Sequence, residues 1–242
     1  MLFSGVSRDN DKIRRLSEYI DKSERIVATT GAGISVGGGG LTYGQLFRST
    51  HRGGARDLEN GDNSFLHTYL DSMFRYKPSF SHYALADMER DGKLIGIITT
   101  NVDCMHTIAG SENVAEIQGS VRVNCCADCG RHYDGYEIWN QDELPVCGEC
   151  GGMILPWPLY SHIGLWDRDV KKAQKWIGEA DLILAIGTRG NYGGAYWSCR
   201  RNDAVIVQIN PGHTVFDHAA VLNIRENCDD VFRALKERRD GK

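Results

Sequence analysis

A chain of 242 residues with 41% hydrophobic and 25% charged residues has the composition of one large globular domain, or of one domain carrying a small insert, and not of a disordered segment. A formal net charge of −4 offers no basic footprint for nucleic acid. The opening MLFSGVSRDNDK lacks the apolar run of a signal peptide and no stretch reaches membrane-spanning length, so the expectation is a cytoplasmic protein with no membrane partner.

Ile13, Leu16 and Ile20 recur at helical spacing and predict a first amphipathic helix. RIVATT (25–30) then reads as a buried strand running straight into GAGISVGGGG (31–40). Strand, glycine-rich turn and helix form the unit that offers backbone N–H groups to a phosphate. Val36 occupies the third glycine position of G-x-G-x-x-G, so a plain flexible loop stays open beside the nucleotide reading. No acidic residue ends a second strand near position 51, which counts against conventional hydride transfer.

Three further apolar runs, LIGIITT (94–100), DLILAIGT (181–188) and AVIVQIN (204–210), read as buried parallel strands. Helical patterns lie near 62–75, 80–90, 168–179 and 228–238. This alternation predicts an α/β fold built on a Rossmann-like doubly wound parallel sheet. Ligands in such sheets sit at the carboxyl ends of the strands. There the sequence places Gly31–Gly33, Asn101–Asp103, Gly187–Arg189 and Asn210.

The cysteines interrupt the alternation. Cys126 and Cys129 form one C-x2-C pair, Cys147 and Cys150 another, with 17 residues between them. That spacing fits a structural zinc site in which four thiolates close the coordination sphere. Gly130 and Gly151, directly after each pair, suit the tight knuckles. A disulfide pairing would require an oxidising compartment that nothing here indicates. Cys125 is one residue out of step and reads as a bystander. The expected organisation is residues 1–120 and 157–242 as the large domain, with 121–156 as a small zinc-binding module.

Taken together, GAGIS (31–35), TTNVD (99–103) followed by His106, Ala109 and Gly110, the paired C-x-x-C-G knuckles, GT (187–188) and IN (209–210) resemble the sirtuin family of NAD-dependent enzymes, from about residue 13 to about 235. The resemblance implies NAD bound between the two domains. Gly31, Ala32 and Gly33 would wrap the pyrophosphate, Asp103 would hold the nicotinamide carboxamide and Asn101 would support the ribose. Gly187 and Thr188 would line the adenosine side, Asn210 would bond its ribose, and Cys228 would lie beside the adenine. The residue types suit those tasks, although Asp103 also suits the N-cap of a helix over CMHTIAG. His106 reads as a packed structural histidine.

The family places a histidine before glycine as its general base, and this chain has Gln118-Gly119 there. An amide holds a ribose hydroxyl but takes no proton at neutral pH, and a general base typically contributes about 10²–10⁴-fold. Thr100 stands for the family's glutamine, Gly-Thr-Arg for Gly-Thr-Ser, and G-G-L-T-Y-G (39–44) for G-I-P-D-F-R, leaving Tyr43 or Phe47 as its aromatic residue. LPWPLYSHIGLW (155–166) replaces the strand that accepts the acyl-lysine peptide, and its two prolines remove backbone donors. This pattern is similar in part to the macrodomain-linked class of sirtuins. It implies transfer of ADP-ribose to a protein acceptor, with Asn101 and Gln118 as the catalytic pair. A protein-lysine deacylase and a non-catalytic NAD-binding sensor are the alternatives.

Overall fold

The computed structural model describes residues 10–40, 76–135, 138, 145–161, 164–190 and 193–241. The expected helix over 62–75 and both aromatic candidates, Tyr43 and Phe47, lie outside them. In chain order the elements are α1 (Asn10–Lys22), β1 (Ile26–Thr30), a 3-10 helix (Ala32–Gly38), α2 (Phe80–Arg90), β2 (Leu94–Thr99), α3 (Met105–Ile108) and β3 (Val114–Glu116). The small sheet follows, with β4 (Val123–Cys126), β5 (His132–Asp134) and β6 (Ile154–Pro156). The chain then returns through α4 (Trp157–Tyr160), α5 (Asp167–Glu179), β7 (Leu182–Ile186), β8 (Val205–Ile209), β9 (Leu222–Ile224) and α6 (Cys228–Asp240).

Six strands form one parallel sheet in the order β3-β2-β1-β7-β8-β9. The order reverses between β1 and β7, which makes that junction the topological switch point. Alternate residues face opposite layers, as the strand period requires. Ile26 and Ala28 of β1 and Leu182, Leu184 and Ile186 of β7 bury against Leu16 and Ile20 of α1, Leu85 of α2 and Phe232 and Leu235 of α6. Val27, Ile183 and Ala185 turn the other way, onto Ala173 and Ile177 of α5 and onto Tyr196 and Phe216. Helices on both faces are what a strand of unbroken hydrophobic sequence demands. The expected fold class is the observed one.

Register places the site. Thr30 pairs with Thr99 on one side and Ile186 on the other, and Ile186 pairs with Ile209, so four strands end at one level. The glycine turn departs from the expected strand-turn-helix in one respect: it enters a 3-10 helix and leaves it at Gly39 in a left-handed conformation. Five strands lacked a sequence signal because they are so short: β3, β5, β6 and β9 have three residues each and β4 has four.

Asp229 of α6 ties this end together. Its carboxylate accepts from the Phe80 and Ser81 N–H groups and from the Ser81 hydroxyl, at 3.2, 2.9 and 2.6 Å. A negative side chain from one helix thereby caps the N-terminus of another, where orphan donors and the helix dipole both favour it. It also abuts the glycine turn, since a Cβ at Gly37 would lie 2.1 Å from its Oδ2. Asp229→Ala leaves these donors buried without an acceptor and is expected to destabilise the fold by about 1–3 kcal/mol, read as a lower urea midpoint, with Asp229→Asn losing less.

Candidate functional site

Gly33 and Gly187 meet at the switch point. The Gly33 N–H donates to the Gly187 carbonyl at 2.9 Å, and a Cβ on Gly33 would sit 2.7 Å from that oxygen and 2.8 Å from the Gly187 Cα. Gly31 donates to the Ile186 carbonyl and lies against Thr188. The amides of these two glycines are thus committed to holding the turn against β7. Their bare Cα atoms serve the same packing, since a Cβ on either would meet Gly187 or Thr188. Thr188 is buried and its hydroxyl accepts from the Gly190 N–H at 3.1 Å.

A hydrogen-bond chain crosses the turn. The Asn101 amide donates to the Gly31 carbonyl and to the Ser35 hydroxyl oxygen, both at 3.3 Å, and Ser35 donates to Asp103 Oδ2 at 3.0 Å. The Tyr76 hydroxyl donates to the same Oδ2 at 3.2 Å. Asp103 Oδ1 accepts from the Met105 N–H at 3.0 Å, the first N–H of α3, but the N-cap position expected of Asp103 is held by Cys104, one residue later. Asn101, Asp103 and Ser35 are all buried, and each satisfies another. Cys104 follows in the left-handed region with φ 61°, the one side-chain-bearing residue among those described to do so. Such a conformation costs on the order of 1–2 kcal/mol and fixes the exit from Asp103. His106 is buried, contacts the Thr30 hydroxyl at 2.9 Å, and is held well below its ordinary pKa by burial. It is a packed neutral ring.

Gln118 stands at the tip of a turn closed by the Gly119 N–H donating to the Glu116 carbonyl at 2.8 Å. It is buried, and its Nε2 has no partner among the described residues. A buried amide donor without an acceptor marks a place for one. The replaced segment closes over this turn. Pro156 lies in β6, an edge strand of the small sheet, opposite Asn124 and without an N–H to offer an added strand, and residues 157–160 are helical. Trp157 packs on Gly119 and meets Trp166 edge-on at 4.6 Å, and the indole N–H groups of both are buried without partners.

Asn210 and Cys228 bound the far end. The Asn210 side chain donates to the Gly212 carbonyl at 3.0 Å and its N–H to the Ile224 carbonyl at 3.0 Å. Cys228 opens α6 in a buried position that pushes its thiol up to about 12, so it is an uncharged surface and not a nucleophile. Ser35, Tyr76 and Glu116 were missed as site residues. Ser35 sat inside a quoted motif, Glu116 inside AEIQGS, and Tyr76 carried no sequence signal.

Cys126, Cys129, Cys147 and Cys150 converge, their sulfurs all within 4.8 Å of one another. The Cys126–Cys150 and Cys129–Cys147 pairs are 3.5 and 3.6 Å apart, near the roughly 3.8 Å edge of a tetrahedron with zinc–sulfur bonds of about 2.3 Å. The four are free of disulfides, and the left-handed Gly130 and Gly151 close the knuckles as expected. The Tyr133 hydroxyl donates to Cys147 Sγ at 3.1 Å and draws that thiol down to about 6, toward the thiolate a metal needs. This donor set fits one structural zinc ion. Cys147→Ser or prolonged chelation is expected to unfold the β5-β4-β6 sheet while the parallel sheet keeps its secondary structure, seen as one equivalent of zinc lost in metal analysis and a drop in amide protection confined to residues 121–156.

The Sir2 family model matches residues 31–192. The "NAD-dependent protein deacetylase" of Clostridium acetobutylicum is 31% identical, over 93% of this chain and 98% of its own. "NAD-dependent protein deacetylase 1" of Pyrobaculum aerophilum is 32% identical, over 98% of both. A crystal structure of Sir2 with the inhibitor EX-527, 2'-O-acetyl-ADP-ribose and a deacetylated p53 peptide superposes with a TM-score of 0.78 at 25% identity, covering 95% of this chain and all of the other. With the glycine contact, the Asn101–Ser35–Asp103 chain and the four-cysteine module in the same molecule, the chain belongs to the Sir2 family.

Proposed function

We propose that this chain cleaves the nicotinamide–ribose bond of NAD and uses the ADP-ribose unit to remove an acyl group from a protein lysine. The observation that carries the first half is the buried chain Asn101–Ser35–Asp103, which crosses from the glycine turn to the end of β2 at the switch point. The second half is supported by the deacetylase names of relatives that align over more than nine-tenths of the chain. It displaces ADP-ribosyl transfer to a protein, which the sequence favoured, to second place.

When bound, NAD supplies an activated ribose carbon with nicotinamide as its leaving group. Asp103 and Asn101 would orient its nicotinamide end, Gly31–Gly33 with Ala32 and Thr188 would admit the pyrophosphate against backbone, and Asn210 with Cys228 would bound the adenosine. The partnerless Gln118 Nε2 would donate to a ribose hydroxyl oxygen, holding it without accepting its proton. Asp103→Asn is expected to weaken NAD binding by about 1–3 kcal/mol in calorimetry, through loss of a charged acceptor.

The second reading rests on one observation, the amide at position 118. Leaving-group departure needs orientation, whereas passage of the acyl group is accelerated by a base that an amide does not supply. Incubation with NAD and acetylated peptide decides among the products. O-acetyl-ADP-ribose supports deacylation, labelled protein supports ADP-ribosyl transfer, and intact NAD with measurable affinity leaves a binding protein. Gln118→His introduces a group with an unperturbed pKa of about 6.5 and is expected to raise deacetylation by about 10-fold or more. No gain in that variant, with NAD affinity kept, removes the base argument.

A further inference from the structure

Glu116 ends β3 and carries the turn on which Gln118 sits. Its carbonyl accepts from Gly119 as described, and its Oε2 accepts from the Ser120 hydroxyl at 2.7 Å. Ser120 Oγ also accepts from the Arg122 N–H at 3.3 Å, and the Glu116 N–H is held by Asp169 Oδ2 of α5 at 2.9 Å. The far side of the turn is anchored by the Val121 N–H donating to the Val102 carbonyl, inside TTNVD. Glu116 and Ser120 therefore clasp the base of a five-residue turn, with Gln118 at its tip and Trp157 leaning on Gly119.

We infer that Glu116 is a positioning residue: its carboxylate, bonded to Ser120, closes the turn and fixes Gln118, so the site is fully assembled when that carboxyl group is ionised. An ionised carboxylate only accepts, which leaves the Ser120 hydroxyl a single orientation and strengthens the bond through charge. A protonated carboxyl group both donates and accepts, so the clasp has two arrangements. The charged and titratable groups facing it are Ser120 and Arg122 of the clasp, Asp103 and Cys104 of the loop before α3, and Asp169 of α5. Burial pushes the Glu116 carboxyl up to about 7, with Asp103 and Asp169 adding to the rise and Ser120 and Arg122 opposing it. This site lacks the family histidine, yet on this account it still titrates near neutrality.

The sign follows from linkage. An unfolded glutamate ionises near about 4.3, so the folded state holds its proton longer, and stability falls as pH rises from there to about 7, then levels. Activity rises through the upper end of the same window. The inference rests on NAD cleavage at this site, so its test reads the turn separately.

Tryptophan emission of the zinc-loaded full chain is recorded from about pH 5.5 to about pH 8.5, with nicotinamide release from NAD measured in parallel. The wild type is expected to show a sigmoid centred near 7, lost in Trp157→Phe, flat in Glu116→Gln, and moved to higher pH in Ser120→Ala, since the serine bond lowers the carboxyl pKa. The ring of His132, 6.5 Å from Trp157, remains in Glu116→Gln, so any contribution from it survives in that control. A flat wild type, an unchanged sigmoid in Glu116→Gln, or a downward move in Ser120→Ala overturns the clasp. Where Glu116→Gln fails to fold, Glu116→Asp draws the charge back from Ser120 and must move the midpoint; an unmoved one overturns it equally. An emission change without nicotinamide release at any pH upholds the clasp and removes the NAD-cleavage reading.

Discussion

Everything in the cleft depends on two backbones touching. Gly33 and Gly187 approach so closely that a single methyl group on either would collide with main-chain atoms of the other. That contact presses the turn after β1 onto the turn after β7, at the place where the strand order reverses. Ser35 is then within reach of both Asn101 and Asp103, and three buried polar side chains bond to one another, the Asp103 carboxylate accepting from neutral donors. A side chain at either glycine would separate the turns, and the polar chain behind them would lose its geometry.

The rest of the site is organised around that contact by strand register. β1, β2, β7 and β8 end level, so residues far apart in sequence emerge side by side. The small sheet hangs from the same region by the Gln118 turn and β4, whose last residue, Cys126, is the first thiol of the metal set. The stretch from Glu116 to Cys126 therefore joins a buried carboxyl, an amide whose donor has no partner among the described residues and a member of the four-cysteine cluster within eleven residues. At the ends of β8 and α6 the link is looser, the Cys228 thiol meeting the Ile209 carbonyl at 3.9 Å.

Much of this could be read beforehand, for identifiable reasons. Long apolar strands such as LILAI and VIVQI carry their own signal, and paired C-x2-C knuckles carry theirs. Asn101, Asp103 and Gln118 were singled out because motif and chemistry agreed, and all three are buried. What escaped was set by tertiary contact. β3 is three residues long, yet its end positions Glu116. The role of Tyr76 depends on reaching Asp103, 27 residues away. Glycine amides that sequence assigns to a phosphate are spent on β7, which only the fold reveals. Deacetylation against ADP-ribosyl transfer turned on relatives, since an absent base speaks equally for a slow enzyme and for a different one.

Asp229 has a consequence for the order in which the molecule is made. Its carboxylate caps α2 and fills the space beside Gly37, although 148 residues separate it from Ser81. The glycine turn is synthesised early, but one wall of its setting arrives only with α6. A ribosome-bound chain lacking residues beyond β9 would thus carry the glycine turn with α2 held only by its own Ser79–His82 capping box and a gap beneath the turn. Long-range contacts of this kind form late and slow the final step of folding. The cleft would be among the last parts of the protein to acquire its shape, and competence to bind would mark completion of the fold.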